Sequence, residues 1–452
     1  MLDHDDPFGA LRARASRLRT CRAVGRITAI DGRGLTVEGL SPHVALGDEI
    51  VVPGARGGPA RAEIVRIARD GLQAVPLGPA EGLTLDLEAM GAGPAMLAPH
   101  PAWIGRIVDP LGRPLDGRPL PQGRPVAVSA APPPAAARRG LGARLRTGLT
   151  VLDTLLPVVQ SQRIGLFAGS GVGKSTLIGT LACEMEADVC VLALVGERGR
   201  EVGAFVRDIL GPRGMARTIV VAATSDMPAP LRRRCAIAAM CVAEMLRESG
   251  RHVLFLCDSV TRLAEAHREI AFAGGEAAAP HGHPASLTPL LAALSERAGP
   301  GSSAASGDIT AVFSVLVAGS DMEEPVADIL RGQLDGHVVL SRRIAEAGRF
   351  PAIDVLRSVS RSLPSAASRA ENALIAEART ILATWDEASL MVSSGLYEKG
   401  SDPAIDRACL LVPKLHDLFT ERCEDSAGAF SKLGTILGRP APGQDRFREK
   451  GG

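Results

Sequence analysis

Residues 161–176 read SQRIGLFAGSGVGKST, and few stretches restrict a fold so tightly. A short apolar run, Ile164–Phe167, enters a glycine-rich turn that closes on Gly173-Lys174-Ser175-Thr176; a helical pattern (Leu177, Ile178, Leu181) follows. Strand, glycine loop and helix in that order make a phosphate-binding loop. The glycines let successive backbone N–H groups converge on phosphate oxygens, and the helix N-terminus adds partial positive charge. Lys174 can reach the β- and γ-phosphates of a bound ATP, and the Ser175 hydroxyl can ligate Mg²⁺. The expected lining is Ala168, Gly169, Ser170, Gly171, Val172, Gly173, Lys174, Ser175 and Thr176. The strict motif has glycine where Ala168 stands, but a side chain this small fits a strand end. Lys174 is also the one lysine in the first 398 residues; the others are Lys399, Lys414, Lys432 and Lys450. A compact ammonium contacts phosphate differently from the guanidinium used elsewhere in the chain.

Further apolar runs repeat the strand–helix alternation. Val189–Val195 leads to Gly196-Glu197-Arg198-Gly199-Arg200-Glu201. Thr218–Ala222 precedes a helical pattern from about Pro228 to Gly250, and His252–Cys257 ends in Asp258. Such alternation predicts a parallel sheet with crossover helices, whose ligands lie beyond the carboxyl ends of the strands. Lys174, Glu197 and Asp258 each follow a strand end, so they are expected to converge. Asp258 then reads as a Mg²⁺ carboxylate and Glu197 as the group that orients the attacking water. Arg198 and Arg262 can neutralise charge on a transferring phosphoryl group. Arg361 ends a short polar strand, SVSR, and can act as a finger inserted into a neighbour's site. For Arg198 and Arg262 a surface ion pair is the competing reading, and for Asp258 it is a helix N-cap.

The rest of the chain supplies context. Residues 22–90 hold short strand-like runs (Ala23–Ile30, Gly34–Val37, Glu49–Val52, Ala62–Ile67, Leu72–Val75) separated by Asp-Gly, Gly-Asp and Pro-Gly turns, which suggests a small closed β-barrel. Phe8 is the one aromatic in the first hundred residues, so this barrel lacks a base-stacking platform and reads as an assembly module. Pro- and Gly-rich sequence fills 98–134. Strands are expected at 309–318 and 337–340, and helices at Ala370–Trp385, Glu387–Gly395, Ile405–Cys423 and Ala427–Leu437. The division expected is an N-terminal segment (1–20), a barrel (21–97), a P-loop ATPase domain (98–365) and a helical domain (366–452). Residues 9–20 can form a short basic amphipathic helix or a frayed terminus, and the tail APGQDRFREKGG looks disordered.

Composition excludes other classes. A net charge of +1 gives no electrostatic case for nucleic-acid binding. The acidic start MLDHDDPFG is not a secretory signal. Apolar runs such as Ala311–Ala318 fall far short of the roughly 18 residues a membrane span needs. Eight scattered cysteines without CxxC spacing suit reduced, buried thiols in a cytoplasmic protein. The nine histidines form no ligand set.

Together these runs resemble the flagellar and virulence type III export ATPases, which are similar to the catalytic subunits of rotary ATP synthases. The resemblance rests on IGRIVDPLGRPLDG, TGLTVLDTLLPVVQSQRIGLFAGSGVGKST, LVGERGREV, FLCDSVTRLAEAHREI, LDGHVVLSRRIAEAGRFPAIDVLRSVSR and YEKGSDPAID, and covers roughly 22–410. It implies a RecA-like α/β P-loop core between an N-terminal β-barrel and a C-terminal helical domain. Glu197 is then the general base, Arg198 and Arg262 γ-phosphate ligands, Asp258 the Mg²⁺ carboxylate and Arg361 the trans-acting finger, with Phe350 stacked on adenine. It further implies a homohexamer at the inner face of the cytoplasmic membrane. The partners implied are a stator-like regulator, a coiled-coil stalk protein, a membrane export gate and chaperone–substrate complexes, with no nucleic acid. Barrel sequence such as GRITAIDGRGLTVEGLSPHVALGD favours the flagellar branch over the injectisome. The alternatives are a non-catalytic nucleotide-binding subunit, which Glu197 opposes, an RNA translocase of the transcription-terminator type, which the aromatic-poor barrel opposes, and a proton-driven synthase subunit.

Overall fold

A computed structural model describes residues 22–439, except 33, 135, 137, 280–281, 304 and 318–322. The expected helix at 9–20 and the C-terminal tail lie outside the described residues.

The first compact unit is a barrel. Strands β1 (Val24–Asp31), β2 (Gly34–Glu38), β3 (Asp48–Val52), β4 (Ala60–Ala68), β5 (Gly71–Pro76) and β6 (Glu88–Pro94) close in the order β1-β2-β5-β4-β3-β6. Alternate residues point inward, as strand geometry requires: Leu35 and Val37 on β2, Leu72 and Ala74 on β5. The closing strand β6 was not among the expected five. Its sequence, EAMGAGP, has small residues in place of an apolar alternation, and it is paired on both sides by β1 and β3.

Most of the chain from Met96 forms the second unit. β7 (Met96–Leu97) and β9 (Val126–Ala127) make a two-stranded ladder. The main sheet holds β8 (Ile107–Val108), β10 (Arg163–Ala168), β11 (Val189–Glu197), β12 (Thr218–Thr224), β13 (His252–Asp258), β15 (Asp308–Leu316), β16 (Gly336–Leu340) and β17 (Ile353–Ser360), with β14 (Gly299–Pro300) paired to β15. Its order is β17-β16-β10-β15-β13-β11-β12-β8. The strands from β16 to β8 run parallel, and the central ones are buried on both faces, which explains their unbroken apolar runs. β17 departs from this parallel pattern and runs antiparallel to β16. The connection from Leu340 to Ile353 holds one short helix, Arg342–Glu346, too little to carry the chain back for a parallel return.

Helices Lys174–Glu184 and Ala229–Glu248 follow β10 and β12, close to the expected positions, and Gly250 (φ +86°) ends the second. Val260–Ala273 and Leu287–Arg297 are two helices the strand pattern did not single out. At the C-terminus, the two helices expected at Ala370–Trp385 and Glu387–Gly395 are one, Arg369–Ser393. Asp386 between them is no helix breaker, and the stop falls at Gly395 (φ +71°). A capping box of Ser368 and Glu371 starts this helix. Asp402 and Asp425 cap the next two, Pro403–Thr420 and Ser426–Leu437. Leu374, Ile375 and Leu382 share one hydrophobic cluster with Leu166 and Val338 of the sheet.

Candidate active site

Ala168 is the last residue of β10, paired with Leu316 on one side and Leu340 on the other, and is 1% exposed. It belongs to the strand and not to the turn, so alanine meets no steric objection. Gly171 (φ +77°) and Gly173 (φ +85°) adopt the left-handed conformation that turns the loop into the helix beginning at Lys174. Val172 anchors the loop in the core, while Ser170, Ser175 and Thr176 are exposed and Gly169 half-exposed. The Phe350 ring lies against this loop: a Cβ at Gly173 would sit 3.2 Å from its edge. Half the Phe350 side chain is open to solvent. Its neighbours Arg349 and Pro351 line a cavity of about 360 Å³ together with Trp385, His416 and Phe419.

Lys174, Asp258 and Glu197 come together. The Lys174 ammonium is paired with Oδ1 of Asp258, which is 3% exposed. The Ser314 hydroxyl donates to that same oxygen at 2.7 Å. Glu197 ends β11 and, with Ser175, Asp258 and Glu201, lines a cavity of about 250 Å³ backed by Leu194 and Phe205. Burial pushes the Glu197 carboxyl up to about 7, and the negative charge of Asp258 adds to the rise; Lys174 opposes it, and contact with Glu201 adds again. A carboxyl poised near neutrality, beside a cavity and a lysine, suits proton exchange with water.

The arginines divide. The Arg262 stem covers Gly196, where an added Cβ would lie 3.3 Å from it, and its Nη1 donates to Glu265 at 3.2 Å. Its Nε is buried without a hydrogen-bond partner. Arg198 is largely exposed, 3.6 Å from Glu201. Arg361 is not brought to this site. Because β17 runs antiparallel, Arg361 lies at the opposite end of the sheet, where its N–H donates to Asp335 O and Asp335 pairs with Arg163 at the start of β10. Five strand steps, roughly 17 Å, separate Arg163 from the loop. The Arg361 guanidinium donates to Leu334 O at 3.1 Å and Arg331 O at 3.3 Å.

Two residues at the site were not singled out from sequence. Glu201 lies on the short helix Gly199–Ala204 that follows the end of β11, and a second carboxylate just past a strand end was the available signal. Ser314 is a polar interruption in the apolar run of β15, and only the register across strands reveals its partner. Among the described residues no cluster of three or more His, Cys, Asp or Glu is arranged to hold a metal. Cys190, Cys241 and Cys257 are buried free thiols.

Known proteins are similar to this chain. Residues 148–360 match the ATP synthase alpha/beta family, nucleotide-binding domain. Residues 367–429 match the T3SS EscN ATPase C-terminal domain. The chain is 40% identical to the flagellum-specific ATP synthase of Caulobacter vibrioides, over 95% of this chain and 99% of that one. It is similar to the assembled ATPase EscN of the enteropathogenic E. coli type III secretion system: 33% identity, TM-score 0.84, over 91% of this chain and 100% of the other. EscN in complex with its central stalk EscO gives 32% identity and a TM-score of 0.81 over the same shares.

Proposed function

Because the chain belongs to the family of flagellum-specific and type III secretion ATPases, and is an ATPase of the flagellar export type, we propose how its residues divide the work. The loop amides of Gly169–Thr176 and the Lys174 ammonium grip the triphosphate. To do so Lys174 exchanges Asp258 for the β- and γ-phosphates. Phe350, exposed beside the loop, stacks on the adenine. Ser175 and Asp258 fit Mg²⁺: they are hard oxygen donors on one cavity, and this ion takes one or two protein ligands beside phosphates and waters. Bound Mg²⁺ would neutralise phosphate charge.

Glu197 takes a proton from the attacking water, for which a pKa near neutrality is suited. Arg262 and Arg198 carry positive charge toward the γ-phosphate. The unpartnered Nε of Arg262 supports its share. Arg361 serves a neighbour's site, since its own loop is out of reach at the far end of the sheet. The ring is a homohexamer that energises flagellar protein export at the inner face of the cytoplasmic membrane. It works with a coiled-coil stalk, a stator-like regulator, an export gate and chaperone–substrate complexes. Among the described residues no helix is long and apolar enough to cross a membrane. Domain limits at 20, 97 and 365 go with this reading.

One observation carries the proposal: Lys174, Ser175, Glu197 and Asp258 meet at one place. The test is ATPase rate against protein concentration for wild type and Arg361→Ala. We expect the wild-type rate per chain to rise as rings assemble and the variant to stay low. A constant rate per chain, the same in both proteins, would remove the ring and the finger together.

A further inference from the structure

We propose that Ser314 is a positioning residue for the reaction: its hydroxyl holds the Asp258 carboxylate in place when Lys174 turns to the phosphates. The inference rests on the site reading above. β13 and β15 are parallel neighbours paired as far as Cys257 and Phe313, so the next step sets Asp258 beside Ser314. Just beyond, Thr261 and Leu316 bond reciprocally: Leu316 N–H donates to Thr261 Oγ1 at 2.8 Å, and that hydroxyl donates to Leu316 O at 3.3 Å. The two strand ends are therefore tied, and the 2.7 Å bond from Ser314 to Oδ1 stands on fixed backbone.

Both residues are buried, Asp258 at 3% exposure and Ser314 at 1%, so solvent cannot readily replace a lost partner on this side. Among the described residues Oδ1 has two donors, Lys174 and Ser314. The lysine is the one that nucleotide binding calls away. What remains to orient the carboxylate is the hydroxyl. A hydrogen bond from a buried O–H to a carboxylate is short and directional, and partners of this kind orient metal ligands. Packing alone does not ask for serine here: the neighbouring positions of β15 are apolar, and alanine would fill nearly the same volume.

The test uses the full-length protein and the fluorescent analogue mant-ATP, titrated in EDTA and at a series of Mg²⁺ concentrations. For Ser314→Ala we expect the Mg²⁺ midpoint for enhanced binding to move up by about 10-fold or more, within the ~10–100-fold range for loss of an outer partner. Affinity in EDTA should stay within about twofold of wild type, since Asp258 then has no ion to orient. Ser314→Thr keeps the hydroxyl and should restore the midpoint. The proposal falls if the Ser314→Ala midpoint matches wild type, or if binding weakens equally with and without Mg²⁺, which would mark a packing role. A wild-type protein that does not bind the analogue at all would overturn the nucleotide site itself and this inference with it.

Discussion

The two ends of the main sheet are built from the same kinds of side chain and finished to different degrees. At the amino end of β10, carboxylates are saturated. Asp335 accepts from the Arg163 backbone N–H at 3.0 Å and from two of its guanidinium nitrogens at 3.1 Å. Asp308 accepts from Arg139 at 2.9 Å, Gln160 at 2.7 Å and Ser161 at 3.0 Å. Glu296 is partly buried, which works against ionisation, yet Arg163 and Arg138 hold its carboxyl below the usual range. At the carboxyl end the balance is reversed. Glu197 is pushed up to about 7, Arg262 Nε has no partner, and Lys174 and Asp258 share one contact that a phosphate can break. Saturated charge holds a fold together; unsaturated charge, held in place at some cost, is what a substrate completes. Arg361 is the exception at the finished end: exposed, bonded to carbonyls, and without a carboxylate partner among the described residues.

That exception gives the largest expected effect. Arg361→Ala should lower ATP hydrolysis by ~10³–10⁵-fold while leaving nucleotide binding to each chain intact. Glu197→Gln should lower hydrolysis by ~10²–10⁴-fold, again with binding retained. Mixing the two inactive proteins is the sharper experiment. Some interfaces in mixed rings would pair an intact Glu197 with an intact Arg361, so activity should return. If the mixture stays as inactive as its parts, the finger does not act between chains, and the far end of the sheet is structural throughout.

The finished end should answer to stability instead. Asp335→Ala removes the acceptor of three Arg163 bonds. It should cost about 1–3 kcal/mol in urea unfolding, the price of leaving part-buried donors unsatisfied. Glu197→Gln should cost nothing comparable, because it replaces a carboxyl whose charge the fold already disfavours. An Asp335→Ala protein as stable as wild type would erase the distinction between the two ends.

Much of this is legible in the sequence because it is local. The glycine loop is specified by its own residues, and Val189–Val195 and Val253–Cys257 announce buried parallel strands by running apolar without interruption. Glu197 and Asp258 follow those strands, so their approach to Lys174 could be foreseen from topology alone. What escaped depends on pairing between distant segments. β6 is recruited by β1 and β3 and not by its own Gly- and Ala-rich sequence. Ser314 acquires its meaning from the Cys257–Phe313 register. The reversed direction of β17, which carries Arg361 away from its own loop, comes from the short connection after Leu340.

The smallest effect concerns pH, measured on protein free of nucleotide and Mg²⁺ in EDTA. Burial, then the charge of Asp258, raises the Glu197 carboxyl from its ordinary 4.5 to about 7. A carboxyl raised on folding binds its proton more tightly in the native state. Its contribution is therefore complete below about pH 4.5 and disappears as pH rises through 7. His416 works in the opposite sense. Burial, with the positive charge of Arg349, lowers it from 6.5 to about 4, so its contribution is complete above 6.5 and is lost as pH falls toward 4. Wild type and Glu197→Gln should accordingly diverge in melting temperature between pH 5 and 8, with the variant gaining relative to wild type as pH increases. A His416→Gln protein should lose the acid-side decline and leave that divergence untouched. Parallel pH profiles for wild type and Glu197→Gln would mean that Glu197 is as well satisfied as Asp335, and the carboxyl end of the sheet would no longer be the unfinished one.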